Sequence, residues 1–389
     1  MKPIQLVYFA VGAMILTSCL VAEGLPMDLI GKMADRANLT GMNLSHLDLS
    51  GMHLNQSEIQ GSNLNNSNLN GTYLRSAWLM ASHLQGAKLI RADLTGAVIN
   101  GADLNRSDLS ESVLVRARLS NVKLVGARLI KSDLTESDLS DSDLTGADMT
   151  GARLFRTDLS GSNMQDIYLV NANMIGAHLS WTDMSGSYLS KGQFSRAELY
   201  GTNLSDADLS NSDFTRAYMM RTDLTGAKMN SANLAYADMT ETKLIGATLT
   251  SAMLPYADMT RANLSGADLS DADLSAVRLM GAMLSSVKLD RVNLREVDLR
   301  GLDMKGASLK GANLIMDFLT NANMTGADLR GATLNQVEMT GVDLSGANLE
   351  GIKYDQFTLL SLSRAKMDGA KISDNLKADI KALSVPAGK

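Results

Sequence analysis

The sequence predicts an all-β solenoid, in which the chain winds into stacked coils with four sides. Three observations predict it. Apolar residues occupy 64 consecutive positions at steps of five, from Leu39 to Tyr354. The residue two places before each of these positions is small in most repeats. Aromatic residues make up only 4% of the 389 residues, so a core that depends on Phe, Tyr and Trp is excluded.

The period of five defines the coil. It matches neither the 3.6-residue period of a helix nor the two-residue alternation of a strand. A chain that turns a corner every five residues, and completes one coil after four corners, has this five-residue period. Each side then points one large and one small residue inward, and successive coils pair their backbones at strand spacing. The second inward residue is small because another large one would overpack the narrow interior.

The repeat unit reads Ala-(Asp/Asn)-Leu-(Ser/Thr)-Gly, as in Ala102-Asp103-Leu104 and Ala267-Asp268-Leu269. This pattern resembles the pentapeptide-repeat family, and the resemblance covers roughly residues 37–356. It implies a right-handed quadrilateral β-helix of about 16 coils, on the order of 75 Å long at strand spacing. Each coil is expected to depend on its two neighbours for stability.

The ends of the repeat region depart from the pattern. After Tyr354 the five-residue step resumes with a slip of three at Phe357, and Leu376, Ile380 and Leu383 follow at helical spacing. We interpret this short helix as a cap over the last coil; the alternative is a dimerisation element, which several family members have at this end. The predicted organisation is a signal peptide (1–18), a tether and N-terminal cap (19–36), the β-helix (37–356), a phase-shifted last coil (357–374), and a C-terminal helix and tail (375–389).

Some inner small positions carry larger residues. We expect them to adjust the coil width without making a ligand cavity; they are Met42, Leu47, Met52, Val287, Val292, Val297 and Leu302. Asp317 also falls where Ala is expected. Because an unpaired buried carboxylate is costly, the sequence predicts a local bulge that turns Asp317 outward.

The N-terminus predicts export. Lys2 precedes an apolar stretch from Leu6 to Leu16, which is too short to span a bilayer and is typical of a secretory signal. It ends in Leu16-Thr17-Ser18-Cys19, which resembles the lipobox of bacterial lipoproteins. This resemblance implies cleavage before Cys19, acylation of Cys19, and a lipid-anchored location in the cell envelope, at the outer membrane because Leu20 follows. The alternatives are an ordinary signal peptide and secretion, or a cytoplasmic location.

The sequence shows no combination of residues that is typical of a catalytic site. The four histidines are scattered, and no motif for phosphate, zinc or a nucleophile occurs. A convex rod also lacks the concave pocket that a catalytic pair needs. We therefore expect no enzymatic activity, no cofactor, no metal and no small-molecule substrate. A net charge of −6 argues against direct nucleic-acid binding.

Residues 20 apart are expected to stack, so the outer surface forms columns. On one side, 12 of the 16 residues that precede the central residue are Asp or Asn, as at Asp143 and Asp223. This column is either an amide ladder or an anionic stripe that faces a basic partner. The candidate protein-binding residues form a second column at a corner, with Tyr218 one side over: Arg196, Arg216, Tyr236 and Tyr256. Arg and Tyr are favoured at interface hot spots, and simple ladder packing is the alternative.

These observations favour a non-enzymatic, exported, lipid-anchored rod that acts as a scaffold or protein-interaction module of the bacterial cell envelope. Its protein partner is not identified by the sequence, and a homodimer through the C-terminal helix is an alternative. A second hypothesis is a cytoplasmic DNA mimic that binds a type II topoisomerase, a role that some pentapeptide-repeat proteins have in quinolone resistance. A third is a secreted effector that acts on a host protein.

Overall fold

Two units of stacked coils make up the described chain. The computed structural model describes residues 35–384, and the chain divides into one unit up to Gln193 and another from Phe194 onward. We call them the N-terminal and C-terminal units. The predicted signal peptide, the lipidation residue Cys19, most of the predicted tether and the last five residues lie outside the described residues.

In the N-terminal unit, parallel bridges join residues that are 20 apart, from Asn38↔Glu58 to Asn173↔Gln193. Every central residue from Leu39 to Leu189 is at most 3% exposed. Many inner small positions hold Ser or Thr, whose hydroxyls bond backbone carbonyls; Ser107 Oγ, for example, donates to the Leu104 carbonyl at 2.7 Å. The narrow interior is therefore apolar at the large positions and hydrogen-bonded at the small ones.

The C-terminal unit has the same register. Its parallel bridges run from Glu198↔Tyr218 to Asp328↔Asn348, and its central residues from Phe194 to Leu349 are at most 4% exposed. Longer pairing occurs in four parallel strands in the order β1-β2-β3-β4: β1 (Asn293–Arg295), β2 (Asn313–Ile315), β3 (Thr333–Asn335) and β4 (Lys353–Tyr354). The prediction of inward-facing residues at steps of five is thus confirmed in each unit.

We name the four sides of the C-terminal unit by the outward residue that precedes each central residue. Tyr218 marks face A, Asp223 face B, Lys228 face C and Asn233 face D. Residues at multiples of 20 from these share the face, and strands β1 to β4 include residues of face D.

The backbone conformation at the corners explains the residue preferred at the fifth position of the repeat. Each fifth residue from Arg36 to Gly351 has a positive φ, and the residue after it bonds the central carbonyl three places back in most repeats. Around Gly41, with φ 67°, the Met42 N–H donates to the Leu39 carbonyl at 3.1 Å, as in a type II turn. This conformation favours glycine at the fifth consensus position.

A helix replaces the start of the predicted phase-shifted coil. Helix α1 (Gln356–Leu362) begins after Asp355, whose Oδ1 accepts the Thr358 N–H at 2.8 Å. Phe357 was expected to point inward, but it lies in this helix and is 51% exposed. Coil pairing then resumes with an offset of 23 instead of 20, in the pairs Asp343↔Lys366 and Asn348↔Lys371. The helix therefore absorbs the three-residue slip.

Side chains of α1 and its N-cap terminate the backbone ladder. They accept N–H groups that another coil would otherwise bond: Gln336 donates to Asp355 (3.0 Å), Val337 to Thr358 (3.0 Å) and Met339 to Ser361 (3.1 Å). The exposed backbone edge on this side is thus satisfied without a strand, which removes a template for pairing with other chains.

Helix α2 (Asp374–Ser384) spans the region in which the sequence predicts a short helix. Its Leu376 side chain is fully buried, whereas Leu383 is partly exposed. The Tyr354 hydroxyl, at the last central position, donates to Asp379 Oδ2 at 2.6 Å. Burial and this hydrogen bond raise the pKa of Tyr354 to about 12. These contacts attach α2 to the last turn of the repeat region.

Candidate protein-binding surface

The predicted Arg and Tyr column lies on one corner of the C-terminal unit, between faces D and A. Arg196, Arg216, Tyr236 and Tyr256 occupy the positive-φ position of four successive coils, with φ between 58° and 60°. Tyr218 lies on the adjoining face A. The structure therefore brings all five candidate residues together on one surface, which we call the Arg–Tyr column.

Ring contacts hold the column together. The guanidinium carbon of Arg216 is 5.5 Å from the centroid of the Tyr236 ring, and the Tyr236 and Tyr256 rings stack at 5.1 Å with 9° between their planes. A cation over a ring face and an offset ring stack are both favourable arrangements. Tyr218, Tyr236 and Tyr256 nevertheless keep 58%, 52% and 57% of their surface exposed. The rings are thus ordered by the coil and still available for contact.

The two arginines of the column carry uncompensated charge. Among residues 194–384, neither Arg196 nor Arg216 has a carboxylate within ion-pair distance, although many other arginines of this unit do. Arg221, at the far edge of face A, shows the contrast because its Nε lies 2.8 Å from Glu241 Oε2. The column therefore presents positive charge beside aromatic surface.

Sequence reasoning missed a second Arg–Tyr contact on the opposite edge of face A. Arg221 Nη1 donates to the Tyr200 hydroxyl at 2.8 Å, and its guanidinium carbon lies 5.9 Å from the Tyr200 ring centroid. The hydrogen bond from Arg221 lowers the pKa of the Glu241 carboxyl. The signal in the sequence was a spacing of 21, one coil plus one residue, which a search for columns at 20 does not detect.

The Asp/Asn column of face B has a local structural role. Asp223 Oδ1 accepts the Thr225 N–H at 3.1 Å, and the same Asx turn recurs at Asp143, whose Oδ1 accepts the Thr145 N–H at 3.1 Å. The other oxygen of Asp223 lies 3.0 Å from Lys243 Nζ. Partial burial raises the pKa of Asp223, but these hydrogen bonds outweigh it and the pKa is lowered. The turn accounts for Asp or Asn at this position, so a basic partner protein is not needed to explain the column.

Asp317 is the clearest departure from expectation. The predicted outward bulge is wrong, because the Asp317 side chain points inward and is fully buried. Its Oδ1 accepts the Val297 N–H at 2.8 Å, while its Oδ2 has no hydrogen-bond partner among the described residues. Burial raises the pKa of Asp317 to about 8. The carboxyl replaces the usual turn carbonyl as the acceptor for Val297, which explains why it faces inward.

Other chemistry is sparse in the part of the chain that the structure describes. Residues 35–384 contain no group of three or more His, Cys, Asp or Glu side chains that could hold a metal ion. They also contain no helix long and apolar enough to cross a membrane. The lipidation residue Cys19 lies outside this range, so its predicted role stays a prediction.

Comparisons with known proteins give a family and weak structural similarities. The family model described as pentapeptide repeats matches repeatedly between residues 35 and 351, leaving only short gaps such as 315–318, which contains Asp317. No curated protein matches this chain.

Solved structures that resemble the chain include HetL, QnrB1 and a pentapeptide-repeat protein of the thylakoid lumen. HetL of the cyanobacterium Nostoc sp. strain PCC 7120, described as involved in regulation of heterocyst differentiation, is 26% identical and covers 64% of this chain and 91% of its own, with a TM-score of 0.38. QnrB1, a plasmid-mediated fluoroquinolone resistance protein, is 16% identical over 62% of this chain and 99% of its own, with a TM-score of 0.27. A thylakoid-lumen protein of Arabidopsis thaliana is 21% identical over 46% of this chain and 90% of its own, with a TM-score of 0.11. At such TM-scores these similarities carry no argument about function.

Proposed function

This chain belongs to the pentapeptide-repeat family, and we propose that it is a non-enzymatic scaffold that binds a protein partner through the Arg–Tyr column. The family implies a right-handed quadrilateral β-helix, and its members are generally non-catalytic. The observation that carries the proposal is the exposure of Tyr218, Tyr236 and Tyr256 beside two arginines that have no carboxylate partner in the described part of the C-terminal unit. Tyr and Arg are enriched among the residues that dominate binding energy.

The architecture of the C-terminal unit favours binding by the outer surface. The central residues are buried, so the interior offers no surface to a partner. The backbone of faces A and D is mostly paired between coils, so a partner cannot add a strand along the column and must bind side chains. Stacked rings on a regular backbone lose little side-chain freedom on binding, which lowers the entropic cost of association.

Replacing both stacked tyrosines of the column should strongly weaken partner binding. We expect the double variant Tyr236→Ser, Tyr256→Ser to weaken binding about 30-fold or more, because hot-spot aromatic residues contribute at least about 2 kcal/mol. A photo-crosslinking residue at position 218 in cells would capture the partner, and its purified form would allow the affinity to be measured for each variant.

The N-terminal unit supplies a matched control for this experiment. Its Tyr168 and Tyr188 rings stack at 4.6 Å with 8° between their planes and are 44% and 46% exposed. The variant Tyr168→Ser, Tyr188→Ser removes an equivalent stacked pair and should leave the affinity unchanged. Equal losses for the two double variants would show that the column is only a packing ladder.

We further propose that the protein reaches the bacterial cell envelope, at the outer membrane, through a lipid anchor on Cys19. The support is the lipobox-like Leu16-Thr17-Ser18-Cys19 after an apolar stretch that is typical of a secretory signal. Two or more acyl chains anchor a protein far more firmly than one.

The variant Cys19→Ala should lose the anchor. In cells fed labelled palmitate, we expect the label and the membrane-fraction protein to be present for the wild type and absent for Cys19→Ala. An unlabelled, soluble wild-type protein would refute the anchor and favour a secreted effector or a cytoplasmic protein. In the cytoplasmic case, inhibition of gyrase supercoiling by the purified protein would support the alternative of a topoisomerase-binding DNA mimic.

A homodimer through the C-terminal end is the remaining proposal about partners. Phe357 and Leu360 lie three residues apart in α1 and are 51% and 47% exposed, so they form one apolar strip of that helix. Sedimentation of the wild type and of Leu360→Gln would detect such a dimer as a loss of mass in the variant.

A further inference from the structure

One corner of the C-terminal unit is open between two successive coils. In the preceding coils of this unit a central N–H bonds the carbonyl 19 residues on, as in Leu269 to Lys288 at 2.8 Å. Within the described residues around 278–303, the N–H groups of Leu279 and Gly281 have no such acceptor, and the Leu284 N–H reaches Asp303 only at 3.2 Å. We call this gap the seam.

The seam is confined to faces A and B. The bridge between residues 278 and 298 on face A is missing from the otherwise continuous series of this unit, which includes Asp258↔Arg278 below and Asp298↔Phe318 above. On face B the bridge Met283↔Asp303 is retained, but the Asp303 N–H lacks a close bond like the one that Ser308 of face C donates to the Val287 carbonyl at 2.9 Å. Pairing is therefore lost on face A and weakened on face B, and the change does not extend around the coil.

Oversized inner residues explain the seam. In the coil that follows the seam along the chain, the inner small positions of faces A and B hold Val297 and Leu302. The residue that stacks on Leu302 from the preceding coil is Ala282. A leucine at a position that fits alanine overpacks the interior, and the strain is relieved when the coils move apart on that side. The inner residues beside the seam are slightly exposed, with Ala282 at 4% and Leu302 at 6%.

The space beneath the seam is incompletely filled. Eight leucines of the adjacent coils, from Leu264 to Leu299, line an apolar cavity with room for about one water-sized sphere. At the outer lip, Met280 is 68% exposed and Met283 is 49% exposed. An apolar void and unpaired donors mean that few contacts resist further separation of the two coils at this corner.

The opposite sides of the same two coils are firmly paired. On face D, β1 pairs with β2 through Asn293↔Asn313, Leu294↔Leu314 and Arg295↔Ile315. On face C, the Leu289 N–H bonds the Ser308 carbonyl at 2.6 Å and the bridge Lys288↔Ser308 is intact. One side of the coil can therefore open while the other side stays closed, which is the geometry of a hinge.

We propose that the seam is a built-in hinge, at which the C-terminal unit opens on faces A and B and bends about the paired strands of faces C and D. The Arg–Tyr column lies below the hinge and the α1–α2 end lies above it. Bending at the seam changes the angle between these two surfaces, so a partner that contacts both can select one angle. The hinge does not depend on the proposed function, since it rests on the backbone pairing and interior packing of these coils and not on the Arg–Tyr column.

Hydrogen exchange of the full-length protein, resolved to single amides by mass spectrometry, tests the hinge. We expect the amides of Leu279 and Gly281 to exchange at least about 100-fold faster than the face C amides of Leu289 and Arg291 in the same two coils. Equal protection on the two sides would overturn the proposal.

A pair of variants identifies the cause. Leu302→Ala restores the small residue and should close the seam, slowing exchange at Leu279 and Gly281 at least about tenfold relative to Leu289. Val287→Ala shortens an inner residue of face C, where pairing is intact, and should leave this ratio unchanged. Because the readout is a ratio within one molecule, a uniform loss of stability does not mimic either result. An unchanged ratio in Leu302→Ala, or an equal effect of Val287→Ala, would refute the hinge.

Discussion

Raising the pH from 4 to 9 should lower the free energy of unfolding of the C-terminal unit by on the order of 5 kcal/mol, through Asp317 alone. The carboxyl of the unfolded chain has the ordinary pKa of 3.8, whereas burial, with no partner for Oδ2 among residues 35–384, raises the pKa of the folded carboxyl to about 8. Between these values the unfolded chain releases a proton that the folded chain keeps. The stabilising contribution is therefore complete below pH 4 and is lost as the pH rises to about 8.

The variant Asp317→Asn should remove this pH dependence. Its amide oxygen can still accept the Val297 N–H but cannot ionise, so we expect the variant to be more stable than the wild type at pH 9. Thermal unfolding followed by circular dichroism at several pH values measures the difference. Asp303→Asn, an exposed carboxylate on the adjoining face B, is the control and should keep the wild-type slope. A wild type and Asp317→Asn with parallel pH profiles would show that Asp317 is not held protonated.

Removing the side chains that terminate the backbone ladder is expected to have the second largest effect. The triple variant Asp355→Ala, Thr358→Val, Ser361→Ala leaves three N–H groups without their acceptors, those of Gln336, Val337 and Met339. Each unsatisfied buried group costs about 1–3 kcal/mol, so we expect a loss of roughly 3–6 kcal/mol, discounted for Gln336 because it is exposed. Denaturant unfolding of the full chain measures the loss.

The same variant should also associate, because the last coil then presents an uncovered backbone edge. We expect the triple variant to form higher oligomers in sedimentation experiments at concentrations where Leu360→Gln, an exposed substitution in the same helix, forms none. A monomeric triple variant with wild-type stability would mean that α1 merely lies near the edge and does not terminate it.

The repeat region could be predicted from the sequence because a single rule decides it. An apolar residue at every fifth position, with a small residue two places before it, has few structural solutions. The corner residues were readable for the same reason, since glycine suits a positive φ and Asp or Asn accepts the following backbone N–H. The Arg–Tyr column followed from the 20-residue register, which places Arg216, Tyr236 and Tyr256 on successive coils.

The features that the sequence did not predict are those at which two local structures compete. Phe357 and Leu362 fit the five-residue step, but they also fit a helix, and the Asp355 cap decides for the helix. Asp317 was expected outside because burial is costly, yet a hydrogen bond to Val297 and a retained proton make the inward position acceptable. Leu302 was expected to widen its coil, whereas the backbone instead parts from the coil below. In each case the outcome depends on packing energies that no periodicity contains.

The central claim is that outward residues 20 apart are neighbours, so that function lies in columns on the outside of the coils. Excimer fluorescence tests it directly in a chain whose Cys19 is replaced by Ser. Pyrene labels on Lys228→Cys and Thr248→Cys, a bridged pair on face C, should give strong excimer emission. Labels on Lys228→Cys and Asp238→Cys, only 10 residues apart but on opposite faces, should give monomer emission alone. The reverse result would contradict the coil and the binding column together.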